Sequence, residues 1–271
     1  MKTLYVSDLD ETLLRSDERL SDFTVQTINA LIDRGMIFSY ATARSALTAR
    51  EVTRGLSPRL PVITYNGTFI VEQGSQNRLH SVVFSNTDTE QILNVLLAHG
   101  LSPFVRSLTD EHERVRYQAD CVTSAMQKYL NRRIGDRRLT PIQSSRELLA
   151  GEVFCFTCMD DKERLLPALA ALEDHFRCLF FRDNYTGEWW LEVQPTAATK
   201  ATAVLELKER LGCSRVICFG NGENDISMFR VANECYAVEN AHPSLKQIST
   251  GIIPSCDEDG VAKWLLTHYS S

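Results

Sequence analysis

The sequence predicts an α/β protein in which a parallel sheet flanked by helices is interrupted by a second α/β unit. Three observations carry this expectation. Strand-like apolar runs that end in polar turns alternate with helical patterns over the first eighty residues, and the alternation resumes near residue 190. The stretch between them has a different texture, with helical segments set among strand-like runs and no Pro- or Ser-rich linker at either join. The 271 residues also exceed a domain of roughly 150, and 44% apolar side chains can fill more than one core.

In order along the chain, residues 3–7 read as a first strand. Residues 21–34 then form a helix in which Phe23, Thr27, Ile28, Leu31 and Ile32 make one stripe, with Ser21 or Asp22 to cap its start and Gly35 its end. Strands follow at 36–41 and 61–65, with a helix at 45–54 between them. The middle stretch gives helices at 89–99, 124–134 and 162–175 and strands at 153–159, 179–182 and 189–193. Beyond residue 200 come a helix through Leu211, a strand at 215–219, a helix from Asp225 and a strand at 235–238. The expected domains are a core of residues 1–82 plus 191–271 and an insert of residues 83–190.

Charge and composition narrow the function. With 29 basic and 35 acidic residues the net charge is -6, so no positive field is available to hold a nucleic acid or an anionic membrane. No run approaches the ~18 uninterrupted apolar residues of a membrane span, and the expected compartment is the cytoplasm. The eight cysteines are scattered among apolar neighbours, as buried reduced thiols would be. Cys155 and Cys158 form a CxxC spacing, but within a strand that odd offset sends them to opposite faces. Six histidines show neither HxH nor HExxH spacing.

The chemistry concentrates where strands end. Asp8 and Asp10 follow the first strand at i and i+2, a spacing that an extended backbone points to one side. Two like charges so placed call for a cation, and a hard ion such as Mg2+ prefers oxygen ligands. Thr42 and Arg44, Asn66-Gly67, and the run Gly220 to Asp225 follow three further strands, and strand carboxyl ends form the ligand crevice of open α/β sheets. Each has a plain alternative: Thr42 as a helix cap, Asn66-Gly67 as a hairpin turn, Asn224 or Asp225 as a cap. Lys200 opens a helix, where it could balance a phosphate and a carboxylate or simply be an exposed first-turn lysine.

On these residues the chain resembles the haloacid dehalogenase superfamily, specifically the Cof-type phosphatases with a large inserted α/β cap (type IIB, C2). The matching pieces are Asp8-Leu9-Asp10-Glu11-Thr12-Leu13-Leu14, Ala41-Thr42-Ala43-Arg44, Asn66-Gly67, Lys200, Gly220-Asn221-Gly222-Glu223-Asn224-Asp225-Ile226-Ser227-Met228, Glu239-Asn240-Ala241 and Asp257-Glu258-Asp259-Gly260-Val261-Ala262. The resemblance implies a Rossmann-like core and Mg2+-dependent hydrolysis of small phosphomonoesters, such as sugar phosphates or phosphorylated cofactors. It makes Asp8 the nucleophile and Asp10 the acid and base. Leu9, Thr42, Ala43, Lys200 and Asn224 would bind phosphate, Asp8, Asp10 and Asn221 the metal, and Asp225 would orient those ligands.

Two departures stand out. Ala43 replaces a usual glycine, which is tolerated if its φ is negative. Asn221 replaces a usual aspartate, removing one formal charge from the metal site, so weaker metal binding is expected, and Asn221-Gly222 is a spacing prone to deamidation. The implied partner is a small phosphorylated metabolite, with no nucleic acid or membrane, bound by a monomer or homodimer. A phosphoryl-transferring mutase and a phospho-ligand sensor with weakened catalysis are the alternatives. The insert, expected to select the leaving group, holds Arg132, Arg133, Arg137 and Arg138, read as a solvated helix face, and Trp189-Trp190, read mainly as core.

Overall fold

A computed structural model describes residues 2–57, 59–73, 77–183 and 187–269, which separate into two compact units, 1–81 with 197–271 and 82–196. The first unit begins with β1 (Thr3–Ser7), α1 (Asp22–Asp33), β2 (Ile37–Tyr40) and α2 (Ala46–Val52). Ser21 caps α1 by accepting from the Thr24 amide at 3.0 Å. The buried stripe of α1 is Thr24, Thr27, Ile28, Leu31 and Ile32, and Phe23, expected on that face, is exposed. A stripe built on 24, 27, 28 and 31 has the i, i+3, i+4, i+7 spacing, and position 23 falls off it.

Next come β3 (Val62–Thr64), β4 (Phe69–Val71) and β5 (Arg78–Ser81), which form their own antiparallel sheet. Position 61–65 was expected in the parallel sheet, and that expectation needs correction. The isolated parallel bridge from Ala41 to Ile63 ties β3 to it without a full strand ladder, because the short turn Tyr65–Gly67 returns the chain at once into β4. Asn66-Gly67 is thus a hairpin turn.

The second unit runs α3 (Asn86–Ala98), β6 (Phe104–Thr109), β7 (His112–Gln118), α4 (Ser124–Asn131), β8 (Leu139–Ile142), β9 (Glu152–Asp160), α5 (Lys162–Leu172), β10 (Arg177–Arg182) and β11 (Trp189–Gln194). Its sheet has the order β10-β11-β9-β6-β7-β8. Period-two alternation gives each face its own cluster. Val105, Phe156, Leu191 and Val193 pack with Ile92, Leu96 and Leu165 on one face, while Phe104, Met159 and Trp190 pack with Met126 and Tyr129 on the other. Cys155 and Cys158, both buried free thiols, lie at an odd offset within β9.

Three readings of this unit change. The second crossing falls after β11, which pairs with β9 and β10 and so belongs to the insert rather than to the core at residue 191. The strands β6 and β7 carry too many charged or polar residues to show as apolar runs, and β8 is only four residues with Pro141 within it. The arginine run is not a helix face: α4 stops at Asn131, Arg138 pairs with Glu113 and Asp136, and Arg133 lies 3.7 Å over the Tyr129 ring.

The first unit resumes with α6 (Lys200–Arg210), β12 (Arg215–Gly220), α7 (Ile226–Val231), β13 (Glu234–Val238), α8 (Pro243–Ile248), β14 (Gly251–Ile253) and α9 (Gly260–His268). Its parallel sheet has the order β14-β13-β12-β1-β2. From β1 the chain steps to β2 on one side, and after the insert it fills β12 to β14 on the other, so the order reverses at β1. Crevices form at such switch points, beside the carboxyl ends of the strands. Register aligns those ends, with Ser7 opposite both Phe219 and Tyr40. Leu4, Val6, Phe38, Val216, Cys218 and Phe219 fill the core around them. No helix among the described residues is long and apolar enough to cross a membrane.

Candidate active site

β1 stops at Ser7, and the Asp8 amide donates to the Phe219 carbonyl at 2.9 Å, which holds Asp8 at the mouth of the switch point. The next five residues, Leu9–Leu13, wind into one wide turn with Glu11 at φ +51. Asp8 and Asp10 therefore do not share one strand face, contrary to the period-two expectation, because the strand has ended before either of them. Their carboxylates have different partners. Asp8 meets Lys200, and Asp10 meets Arg44.

Lys200 is the first residue of α6 and wholly buried, so the exposed-lysine alternative falls. Thr199 caps the helix through the Thr202 amide. Gly67, at φ +103, lets the hairpin turn lie against this helix start, since a β-carbon there would stand 2.0 Å from the Thr199 carbonyl oxygen. From that position Lys200 Nζ donates to Asp8 Oδ1 and to Asp225 Oδ1, each at 2.6 Å.

Two buried carboxylates sharing one ammonium leave an excess negative charge. Burial, reinforced by Asp225, pushes the Asp8 carboxyl up to about 7 despite Lys200. Burial alone would weaken the charge on Lys200, but Asp225 and Asp8 outweigh it and hold the ammonium protonated. Asp225 also shapes the loop after β12, where its Oδ2 accepts from the amides of Asn221 and Gly222 at 2.9 and 3.0 Å. Gly220 makes room for it, since a β-carbon there would meet Asp225 Oδ2 at 2.6 Å.

That loop brings Asn221 to β1. The Thr12 hydroxyl donates to Asn221 Oδ1 at 3.0 Å and lies 3.5 Å from Asp8 Oδ2. The donor set is all oxygen, with one carboxylate and one amide sharing a neighbour beside excess negative charge. These residues fit a hard divalent ion such as Mg2+. Among the described residues no three His, Cys, Asp or Glu side chains group to hold a metal. Asp10, its carboxylate taken by Arg44, could contribute only through its backbone carbonyl.

The remaining expected residues join through the hairpin turn. Thr42 is fully buried, and its hydroxyl accepts from the Arg44 amide at 3.1 Å, while Ser45 rather than Thr42 caps α2. The Thr42 carbonyl accepts from the Asn66 amide, and Asn66 Oδ1 accepts from Asn224 Nδ2 at 3.1 Å. Leu9 is buried in the core at the start of the wide turn. Ala43 is exposed and lies outside the positive-φ residues, so its β-carbon brings no strain. Thr12 had no role from sequence, Asn66 and Arg44 only a place at the strand ends that form the crevice, and Glu18 gave no signal at all.

The profile of the family described as haloacid dehalogenase-like hydrolase matches residues 5–265. A 5-amino-6-(5-phospho-D-ribitylamino)uracil phosphatase of Bacillus subtilis, YitU, is 25% identical over 280 residues, covering 98% of this chain and 97% of that protein. A second B. subtilis phosphatase of the same description, YwtE, is 26% identical over 285 residues, covering 95% of each. Among solved structures, a haloacid dehalogenase-like hydrolase from Bacteroides thetaiotaomicron superposes with a TM-score of 0.79 at 22% identity, covering 99% of this chain and 100% of that one.

Proposed function

The chain belongs to the haloacid dehalogenase-like hydrolase family, and from that premise we propose that it is a phosphatase of small phosphomonoesters working through an aspartyl-phosphate on Asp8. The observation that carries this is the buried Asp8–Lys200–Asp225 cluster at the carboxyl end of β1. A carboxylate held by a fixed ammonium at a crevice is a placed nucleophile with a cation ready for the incoming phosphoryl oxygens. The phosphatase names of the relatives support the reaction, and their phosphoribityl substrate supports a polyhydroxylated phosphate ester as the substrate class.

In the proposed sequence an Asp8 carboxylate oxygen attacks phosphorus, the ester P–O bond breaks, and Asp10 delivers a proton to the departing alkoxide. Asp10 then takes a proton from a water that attacks the aspartyl-phosphate, which releases inorganic phosphate and regenerates Asp8. Lys200, Thr42, Asn224 and the amides of Leu9 and Ala43 hold the phosphoryl oxygens, while Asp225 keeps Lys200 and the Asn221 loop in place. Asp8, the Asp10 carbonyl and Asn221 would hold Mg2+, which would neutralise charge between the anionic nucleophile and the anionic phosphate.

The test is phosphate release from a panel of phosphorylated metabolites with and without Mg2+, for the native chain, Asp8→Asn and Asn221→Asp. Mg2+-dependent release that vanishes in Asp8→Asn supports the reading. Asn221→Asp should tighten the apparent Mg2+ affinity, since a carboxylate binds a hard cation more strongly than an amide. Tight ligand binding without turnover would instead favour a sensor.

A further inference from the structure

We propose that Glu18 and Arg44 are positioning residues for Asp10: Glu18 aims the Arg44 guanidinium, and Arg44 fixes the orientation in which the Asp10 carboxyl meets the leaving group. The inference rests on the phosphatase reading above. Arg44 Nε stands 3.0 Å from both Asp10 oxygens, and Arg44 Nη2 lies 2.5 Å from Asp10 Oδ1 and 2.7 Å from Glu18 Oε2. One guanidinium therefore bridges two carboxylates from different turns.

Asp10 needs such a partner. It sits in the wide turn with non-helical φ and ψ of -63° and 128°, and its side chain is 40% exposed. A carboxylate of that exposure exchanges between rotamers unless something fixes it, and the planar fork of an arginine does so with geometry that a lysine cannot supply. Arg44 is itself anchored. Its amide donates to the Thr42 hydroxyl, its carbonyl accepts from the Tyr65 amide at 3.1 Å, and its side chain is 18% exposed.

Glu18 adds a second, independent observation. It stands at φ +62 in a tight turn closed by its own amide on the Arg15 carbonyl. A non-glycine residue pays about 1 kcal/mol or more for that conformation. From this turn the Glu18 carboxylate reaches Arg44 Nη2 at 2.7 Å, a contact the strained conformation supports. The distribution of contacts on Asp10 is uneven. Oδ1 takes both Nε and Nη2 and Oδ2 takes Nε alone, so Oδ2 is the oxygen less engaged by Arg44.

A matched pair of esters separates positioning from general structural support. Departure of 4-nitrophenolate needs little protonation, whereas departure of 4-nitrobenzyl alkoxide needs a proton, and the two esters differ by one methylene. Because kcat/KM reports only steps through leaving-group departure, the ratio between the esters isolates the acid role of Asp10. For Glu18→Gln we expect kcat/KM on 4-nitrobenzyl phosphate to fall about tenfold and on 4-nitrophenyl phosphate by less than about twofold. Arg44→Lys should widen the gap further, to about a hundredfold. The double variant should be little worse than Arg44→Lys alone, because Glu18 acts through Arg44.

Melting curves that match the native chain establish that each variant is folded, and Glu18, at an exposed turn, is the safer of the two substitutions. Equal losses on both esters would overturn the inference, as would fully additive losses in the double variant. A native chain that hydrolyses neither these esters nor any member of the metabolite panel would overturn the phosphatase reading itself and the inference with it.

Discussion

Lys200 shows how much one side chain can decide. Its ammonium is the shared partner of two buried carboxylates, so replacing it strands Asp8 and Asp225 in a medium that disfavours their charge. Removing one partner of a buried ion pair typically costs about 3 to 5 kcal/mol. Lys200→Met should lower the free energy of unfolding in urea by that order and should also remove activity. A variant as stable as the native chain would show that the cluster is not held together by charge. Asp8→Asn should behave differently, since Lys200 keeps Asp225: activity should vanish with stability close to native. Asp8, Lys200 and the loop from Gly220 to Asp225 were all legible in the sequence as motifs. Their chemistry was legible less fully, because alternation was extended past the end of β1 and the carboxylate partners Arg44 and Thr12 depend on contacts across the sheet.

At the level of elements, Asp259 ties the end of the chain to two neighbouring segments more than 230 residues away. Its carboxylate accepts from Arg15 Nε and Nη2, the Ser21 hydroxyl and the Thr24 hydroxyl, so the start of α9 is fastened to the start of α1 and to the loop after β1. Burial works against that carboxylate, but the hydrogen bonds from Arg15, Ser21 and Thr24 outweigh it and hold its pKa below the usual carboxylate range. The sign follows from linkage. A depressed folded-state pKa contributes stability that is present above the unfolded value of about 3.9 and is lost as pH falls through the folded value. Asp259→Asn should therefore cost about 2 kcal/mol at pH 7, and the gap from the native chain should close toward pH 3. Urea titrations at the two pH values would show it, and a gap that stays constant would refute the ionic account. The sequence marked Asp259 only as part of a motif, because hydrogen bonds across more than 230 residues leave no trace in local spacing. Helices with clean stripes and apolar strands, β3 among them, were readable, whereas β4, β5, β6 and β7 were not, since polar residues and short length hide them.

On the scale of the whole molecule, the chain divides into two units with separate cores. The insert of residues 82–196 is continuous and holds a complete six-stranded sheet with an apolar cluster on each face. Produced alone, it should unfold in one cooperative transition, and a gradual loss of ellipticity on heating would show that it depends on the rest of the chain. The core carries every member of the candidate site, from Asp8 and Asp10 through Lys200 to Asn221 and Asp225, around the point where strand order reverses. The central claim is that this arrangement makes Asp8 the group that receives the phosphoryl moiety. Acid quenching of the native chain during turnover of a phosphate-labelled ester, followed by peptide mass analysis, addresses it directly. Label on the peptide that contains Asp8, absent from Asp8→Asn, is the expected result; phosphate release by Asp8→Asn at the native rate, or label held by another residue, would contradict it.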